Sequence, residues 1–262
     1  MRPRPALAAR AACLAVAAWV LLGAAAPRAA AFDLGALLDS VVETYGGTRA
    51  AARMQAYRVT AEVDARRQGG AAGRVTRDFQ APDRLRVEIA YPQATEVRIL
   101  NGGRGWRGDA TRLQRVEGPP RTAMEYQLLR SEIPWVFVHH RSRLEDRGEA
   151  AREAAAYRRV GLPWSPELDL TYWIDAVTRR VVWVEGAVRF PSGQTGFATR
   201  YGDFRRVEGL LVPFLEENFA GGAHTGTTRV REVVFGADGL GTFDPTRMER
   251  QGGGARGSAP NP

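Results

Sequence analysis

The sequence predicts an α+β fold: one large antiparallel sheet of about ten or eleven strands, with two or three helices on one face. Three observations carry this. Apolar residues alternate with polar ones at period two over most of the chain from Tyr57 onward. The breaks between these runs are turn signals rather than crossover helices, and no parallel βαβ spacing appears. Helical periodicity is confined to two places, one ahead of the first strand and one in the middle of the chain.

The chain opens on Arg2, Arg4 and Arg10, followed by an apolar run from Ala11 to about Ala26 and the small residues Ala29, Ala30 and Ala31. A basic start, an apolar run shorter than the roughly 20 residues needed to span a bilayer, and a small-residue site are the marks of a cleaved export signal. The spacing predicts a signal peptide over 1–31 and a periplasmic mature protein beginning near Phe32. The single cysteine, Cys13, lies near the start of the apolar run, where a lipid-accepting cysteine would follow it. The mature chain is therefore expected to be free of cysteine, and its stability rests on packing.

The first helix is expected where Leu34, Leu37, Leu38, Val41, Val42 and Tyr45 share one face, with Gly46-Gly47 ending it. Thr48 is placed to cap a second short helix through Met54. Strands follow. Tyr57, Val59, Ala61 and Val63 alternate with Arg58, Thr60, Glu62 and Asp64, and Gly69-Gly70 turns the chain into a strand ending at Gln80. Leu85, Val87 and Ile89 mark the next, and Thr95 to Leu100 runs into the hairpin signal Asn101-Gly102-Gly103 and on to Trp106. From Arg121 to Val138 the period is helical, with Pro134 as a kink or an end. After an arginine- and glutamate-rich stretch, strands resume at 168–174, 181–190, 197–204, 211–219 and 227–235. The tail, 250–262, is rich in Gly and Pro with nothing to bury and is expected to be disordered, leaving 32–249 as one domain.

Charge narrows the function. The 37 basic residues are all arginine and face 29 acidic ones. Without the signal's Arg2, Arg4, Arg10 and Arg28 the formal charge falls from +8 to +4. Basic and acidic residues are interspersed, as on a solvated surface, so no nucleic-acid partner is expected. Catalytic motifs are absent: no Gly-x-Ser-x-Gly, no His-Glu-x-x-His, no phosphate-cradling Gly-rich loop with a lysine. The adjacent His139 and His140 point apart and have no third ligand in sequence, His224 lies in a glycine-rich turn, and Glu216 and Glu217 alternate across a strand. No catalytic residue, metal or cofactor is expected, and the chain is read as a non-enzyme and a monomer.

Three phrases resemble a known superfamily. They are Phe79-Gln-Ala-Pro-Asp-Arg-Leu-Arg-Val-Glu88, Glu96-Val-Arg-Ile-Leu-Asn-Gly-Gly-Arg-Gly-Trp106, and Leu170-Thr-Tyr-Trp-Ile-Asp-Ala-Val-Thr178 followed by Tyr201-Gly-Asp-Phe-Arg-Arg-Val-Glu-Gly-Leu-Leu-Val-Pro-Phe214. In this order they resemble the LolA/LolB-like periplasmic lipoprotein-binding proteins, a superfamily that also includes the RseB and MucB sigma-factor regulators. The resemblance implies an unclosed antiparallel half-barrel under a helical lid, with lipoprotein or lipid acyl chains held between them and a membrane-bound donor or acceptor protein as partner. It implies a carrier or chaperone working in outer-membrane sorting, or alternatively an envelope-stress sensor that binds a signalling partner. LolA itself has an arginine before the proline of the first phrase, implicated in handing lipoprotein onward; Ala81 stands there here.

For such a cavity the expected lining is Leu85, Val87, Ile89, Val97, Ile99, Trp106, Leu170, Tyr172, Ile174, Val182, Val184 and Phe214 from the sheet, with Leu37, Val41, Leu128 and Leu129 from the lid. Each is equally readable as a core side chain, because alternation does not separate a filled core from a cavity wall. Trp173 and Trp183 have the opposite parity and are expected on the outer face or against a loop, and Trp135 beside Pro134 as a hinge or as packing.

Overall fold

The computed structural model describes residues 32–65, 70–109, 111–190 and 193–246; the expected signal over 1–31 and the tail over 250–262 lie outside them. Among the described residues thirteen strands form one antiparallel sheet. They are β1 (Ala56–Ala65), β2 (Ala71–Gln80), β3 (Arg84–Ala90), β4 (Thr95–Asn101), β5 (Arg104–Gly108), β6 (Leu113–Val116), β7 (Glu145–Arg152), β8 (Ala155–Ser165), β9 (Leu168–Asp175), β10 (Val181–Phe190), β11 (Gly193–Val207), β12 (Leu210–Ala220) and β13 (Ala223–Phe235). The helices are α1 (Leu34–Tyr45), α2 (Gly47–Ala51), α3 (Pro119–Ser131) and α4 (Trp135–His139). The sheet is larger than the expected ten or eleven strands. The additional ones are β6, β7 and β8.

In space the strands run β6-β5-β4-β3-β2-β1-β13-β12-β11-β10-β9-β8-β7. Two meanders are thus joined at a central seam where β1 pairs β13, and the sheet stays open with β6 and β7 as its two edges. This order dictates the lid. β6 and β7 are consecutive in the chain but lie at opposite edges, so the segment between them must cross a whole face of the sheet. That segment carries α3 and α4, and α3 touches β4 and β5 on one side and β9 and β10 on the other. We call the face it crosses the inner face.

α1 forms as its apolar face requires: Leu37, Leu38, Val41, Val42 and Tyr45 are buried, and the Asp33 side chain accepts a hydrogen bond from the Ala36 amide at 3.0 Å. Gly46 ends it at φ 119°, where a Cβ would meet the Gly209 carbonyl oxygen at 2.4 Å. Thr48 is not the cap of the next helix: α2 starts at Gly47, so Thr48 lies inside it. The expected long helix over 121–138 divides into α3 and α4 at Glu132 to Pro134, as the proline requires.

Helices and strands β8 to β10 pack into one filled core that includes Leu38, Val41, Leu129, Phe137, Leu162, Leu170, Tyr172 and Ile174. A second core lies over β1 to β3, with Tyr57, Phe79, Leu85, Val87, Met124, Leu128 and Trp135. A third, small core covers the outer face of β4 to β6. There the segment after β13 lays Phe243 and Leu240 against Val97, Ile99 and Leu113. Asp78, fully buried on that face, fixes the segment by accepting a hydrogen bond from the Gly241 amide (2.8 Å) and two from Arg58 (2.6 and 2.9 Å).

Candidate ligand cleft

The last turn of α3 leaves backbone carbonyls without helical partners. Tyrosines from three separate strands supply the donors. The hydroxyl of Tyr172 (β9) donates to the Leu129 carbonyl at 3.3 Å, that of Tyr201 (β11) to Arg130 at 2.6 Å, and that of Tyr57 (β1) to Ser131 at 3.1 Å. One turn earlier, the Tyr126 hydroxyl donates to the Val184 carbonyl at 3.0 Å. Its ring lies so close to β10 that a Cβ on Gly186 would meet it at 2.5 Å, so this position needs glycine. The lid is clamped by polar groups as well as by apolar packing.

Toward β1 to β3 and β11 to β13 the lid does not fill the inner face. A cleft of about 320 Å³ remains between α3 and the sheet. Its apolar walls are Val63, Val75, Val87, Ile89, Ala123, Tyr126, Phe197 and Ala220, and its polar groups include Gln127, Thr199, Asn218, Thr225 and Thr228. Arg77 of β2, Arg130 of α3 and Glu216 of β12 also line it, and all three are buried, at 7, 8 and 3% exposure.

These three form one ion cluster. Arg77 donates to Glu216 through Nη2 to Oε1 (2.7 Å) and Nη1 to Oε2 (3.3 Å), and Arg130 Nη1 donates to Oε2 at 3.2 Å. Burial by itself would raise the Glu216 carboxyl, but the two guanidinium groups outweigh it and hold the pKa down at about 2. Burial likewise opposes the charge on Arg130, and Glu216 more than restores it. The Arg77 Nε is buried with no hydrogen-bond partner.

The expected lining is divided by the structure. Val87 and Ile89 line the cleft. Leu85, Leu128 and Phe214 belong to the neighbouring second core, and Leu37, Val41, Leu129, Leu170, Tyr172, Ile174 and Val184 to the filled first core. Val97, Ile99 and Trp106 are on the other face of the sheet: Val87 stands opposite Arg98 in the β3–β4 register, so Arg98 and not its neighbours faces inward, and Ile99 stands opposite Trp106. At the start of β10 a register shift between Val181 and Trp183 puts Val181 in the core and leaves Val182 half-buried and outside it.

The outer face carries Trp173 and Trp183, with the Arg152 guanidinium 4.9 and 4.2 Å from their ring centres and Glu185 accepting from Trp173 Nε1 at 2.9 Å. A groove of about 510 Å³ surrounds Trp183, Glu185 and Phe219 there. Trp135 is buried in the second core with the His139 ring stacked on it at 3.5 Å, and His140 meets Trp164 edge-on. Among the described residues no three His, Cys, Asp or Glu side chains group as metal ligands, and no helix is long and apolar enough to cross a membrane.

Arg77 and Arg130 carry no motif, and Glu216 is visible in the sequence only as one of two adjacent carboxylates that face opposite sides of a strand. Their signal is parity: Arg77 stands between Val75 and Phe79 on the apolar face of β2, and Glu216 shares the inward parity of Phe214 on β12.

Comparison with solved structures gives the fold a relative. A structure described as an outer membrane lipoprotein-sorting protein domain from Vibrio parahaemolyticus superposes with a TM-score of 0.51 at 11% identity, covering 81% of this chain and 98% of that one. The fold is that of a lipoprotein-sorting domain. A LolA superfamily protein from Nitrosomonas europaea (TM-score 0.47, 11% identity, 76% of this chain and 93% of that one) and a DUF1329 family protein from Desulfovibrio piger (0.47, 11%, 81% and 98%) are also similar. No family model and no curated protein matches the sequence. The sheet is open, and among the described residues the cleft lies where part of the inner face of β1 to β3 and β11 to β13 is not filled by the lid.

Proposed function

We propose that this chain is a periplasmic carrier that shelters an acyl chain of a lipid or lipoprotein in the cleft beneath α3. The observation that carries the reading is that cleft: apolar walls on an inner face that the lid leaves uncovered, in the fold of a lipoprotein-sorting domain. Its volume lies at the lower end for small-molecule sites. A methylene is about the size of a water, which occupies ~30 Å³ of liquid, so about 320 Å³ accommodates about ten methylenes. At ~0.8 kcal/mol each, their transfer from water contributes roughly 8 kcal/mol before ordering costs. One chain is the natural load for this space. A role in passing that cargo toward the outer membrane accords with the export signal expected from the sequence and with the similarity to a lipoprotein-sorting domain, and it rests on those two supports.

The test is titration of the purified protein with a fluorescent fatty-acyl probe, in wild type and in Ala123→Trp, which places an indole in the cleft. Saturable micromolar binding that the variant loses is the expected result. An absence of binding to the wild type would defeat the carrier reading.

A further inference from the structure

The cleft has an electrical feature that acyl chains alone do not need. The charged groups that face it come from four elements: Arg77 on β2, Arg98 on β4, Arg130 on α3 and Glu216 on β12. Arg98 is matched by Glu96, whose Oε1 lies 2.8 Å from its Nε, and also donates to Gln127. Two buried guanidinium groups are left sharing one carboxylate, an excess of one positive charge. The other polar groups of the lining are neutral hydroxyls and amides.

A buried uncompensated charge is costly, and here it is accompanied by an unmet donor, the Arg77 Nε. Arg77, Arg130 and Glu216 are the buried charges of the lining, while half-buried Val63, Ile89 and Phe197 are nearer the solvent. We infer that the cleft binds a single-chain amphiphile with one negative charge, its carboxylate-type head seated inward at Arg77 and Arg130 and its tail along Val75, Val87 and Ile89. This rests on the carrier reading and adds to it a head group, a direction of entry and a charge. A planar guanidinium matches a carboxylate better than any other cation in a protein, and burial removes the water that would compete.

The head group can be separated from the chain by calorimetric titration of the protein at pH 7.5 with dodecanoate, with dodecanol and with acetate. The expected result is dodecanoate at least tenfold tighter than dodecanol, and acetate unable to displace it at equal concentration. In Arg77→Met, which leaves Arg130 and Glu216 as a neutral pair, the preference for dodecanoate over dodecanol should fall at least tenfold, with continued binding of the alcohol reporting that the cleft persists. Equal binding of acid and alcohol by the wild type would overturn the inference and leave the carrier reading intact. Displacement of dodecanoate by equimolar acetate would overturn it in favour of a small-anion site. Binding of neither long-chain ligand would remove the carrier reading, and the inference with it.

Discussion

Tyr201 donates a 2.6 Å hydrogen bond to the backbone carbonyl of Arg130, so the residue that closes the ion cluster is held at its own main chain by strand β11. The lid helix and the charges beneath it are therefore one mechanical unit. Replacing Tyr201 by Phe removes that donor and leaves a buried carbonyl unpaired, which should cost about 1–3 kcal/mol of unfolding free energy. Urea denaturation of the variant measures it, and amide exchange should quicken in α3 ahead of β8 to β10.

Glu216 answers to two arginines, and the two kinds of partner loss are not equivalent. Glu216→Gln leaves like charges facing each other in a buried site and should destabilise by about 3–5 kcal/mol. Arg77→Met leaves a balanced pair and should cost clearly less. Denaturation midpoints of the two variants, measured side by side, test the ranking.

The same carboxylate makes part of the fold's stability acid-sensitive. Its folded pKa, about 2, is below the ordinary 4.5. The contribution is fully present above about pH 4.5 and is lost as pH falls through about 2. Comparison of wild type and Arg77→Met over this window should show the gap between them narrowing as the solution is acidified.

Glu132 has the opposite sign. It is 1% exposed, neither carboxylate oxygen has a hydrogen-bond partner, and burial, aided by Asp83, raises its pKa well above 4.5. Below pH 4.5 it is protonated in both folded and unfolded states, and as pH rises toward the folded value the unfolded chain gains by ionising first. Glu132→Leu should stabilise the protein at pH 7, by about 1–3 kcal/mol, and by less at pH 4. Thermal melts at the two pH values decide it.

Much of this architecture was readable in the residues, and the errors have distinct physical causes. Period-two patterning located ten strands, and Asn101-Gly102-Gly103 marked a real hairpin, with positive φ at both glycines. β7 was hidden because an edge strand needs no apolar alternation: Glu145, Asp146 and Arg147 are satisfied by pairing, Asp146 with Arg158 and Arg147 with Asp169. In the site, a helix-covered sheet turned out to have both of its faces buried at β4, by α3 on one side and by the Phe243 segment on the other. Apolar alternation there chose the outer face, so Val97, Ile99 and Trp106 went to the wrong side. The cleft's ion cluster was not legible for a related reason: Arg77 and Glu216 interrupt the apolar parity at positions where only a tertiary partner makes a charge tolerable, and Glu216 was weighed only against its neighbour Glu217.

The pairing of β1 with β13 also dictates when this protein can exist. Tyr57 stands opposite Phe235, so the first strand to leave the ribosome finds one of its two neighbours only when the last has been made. Contacts so distant along the chain close slowly, because the loop between them must be ordered before they reward it. A chain emerging from its N-terminus would remain incomplete until nearly all of it was free, and cutting it before Val230 would strand β1 with an open edge at the middle of the sheet.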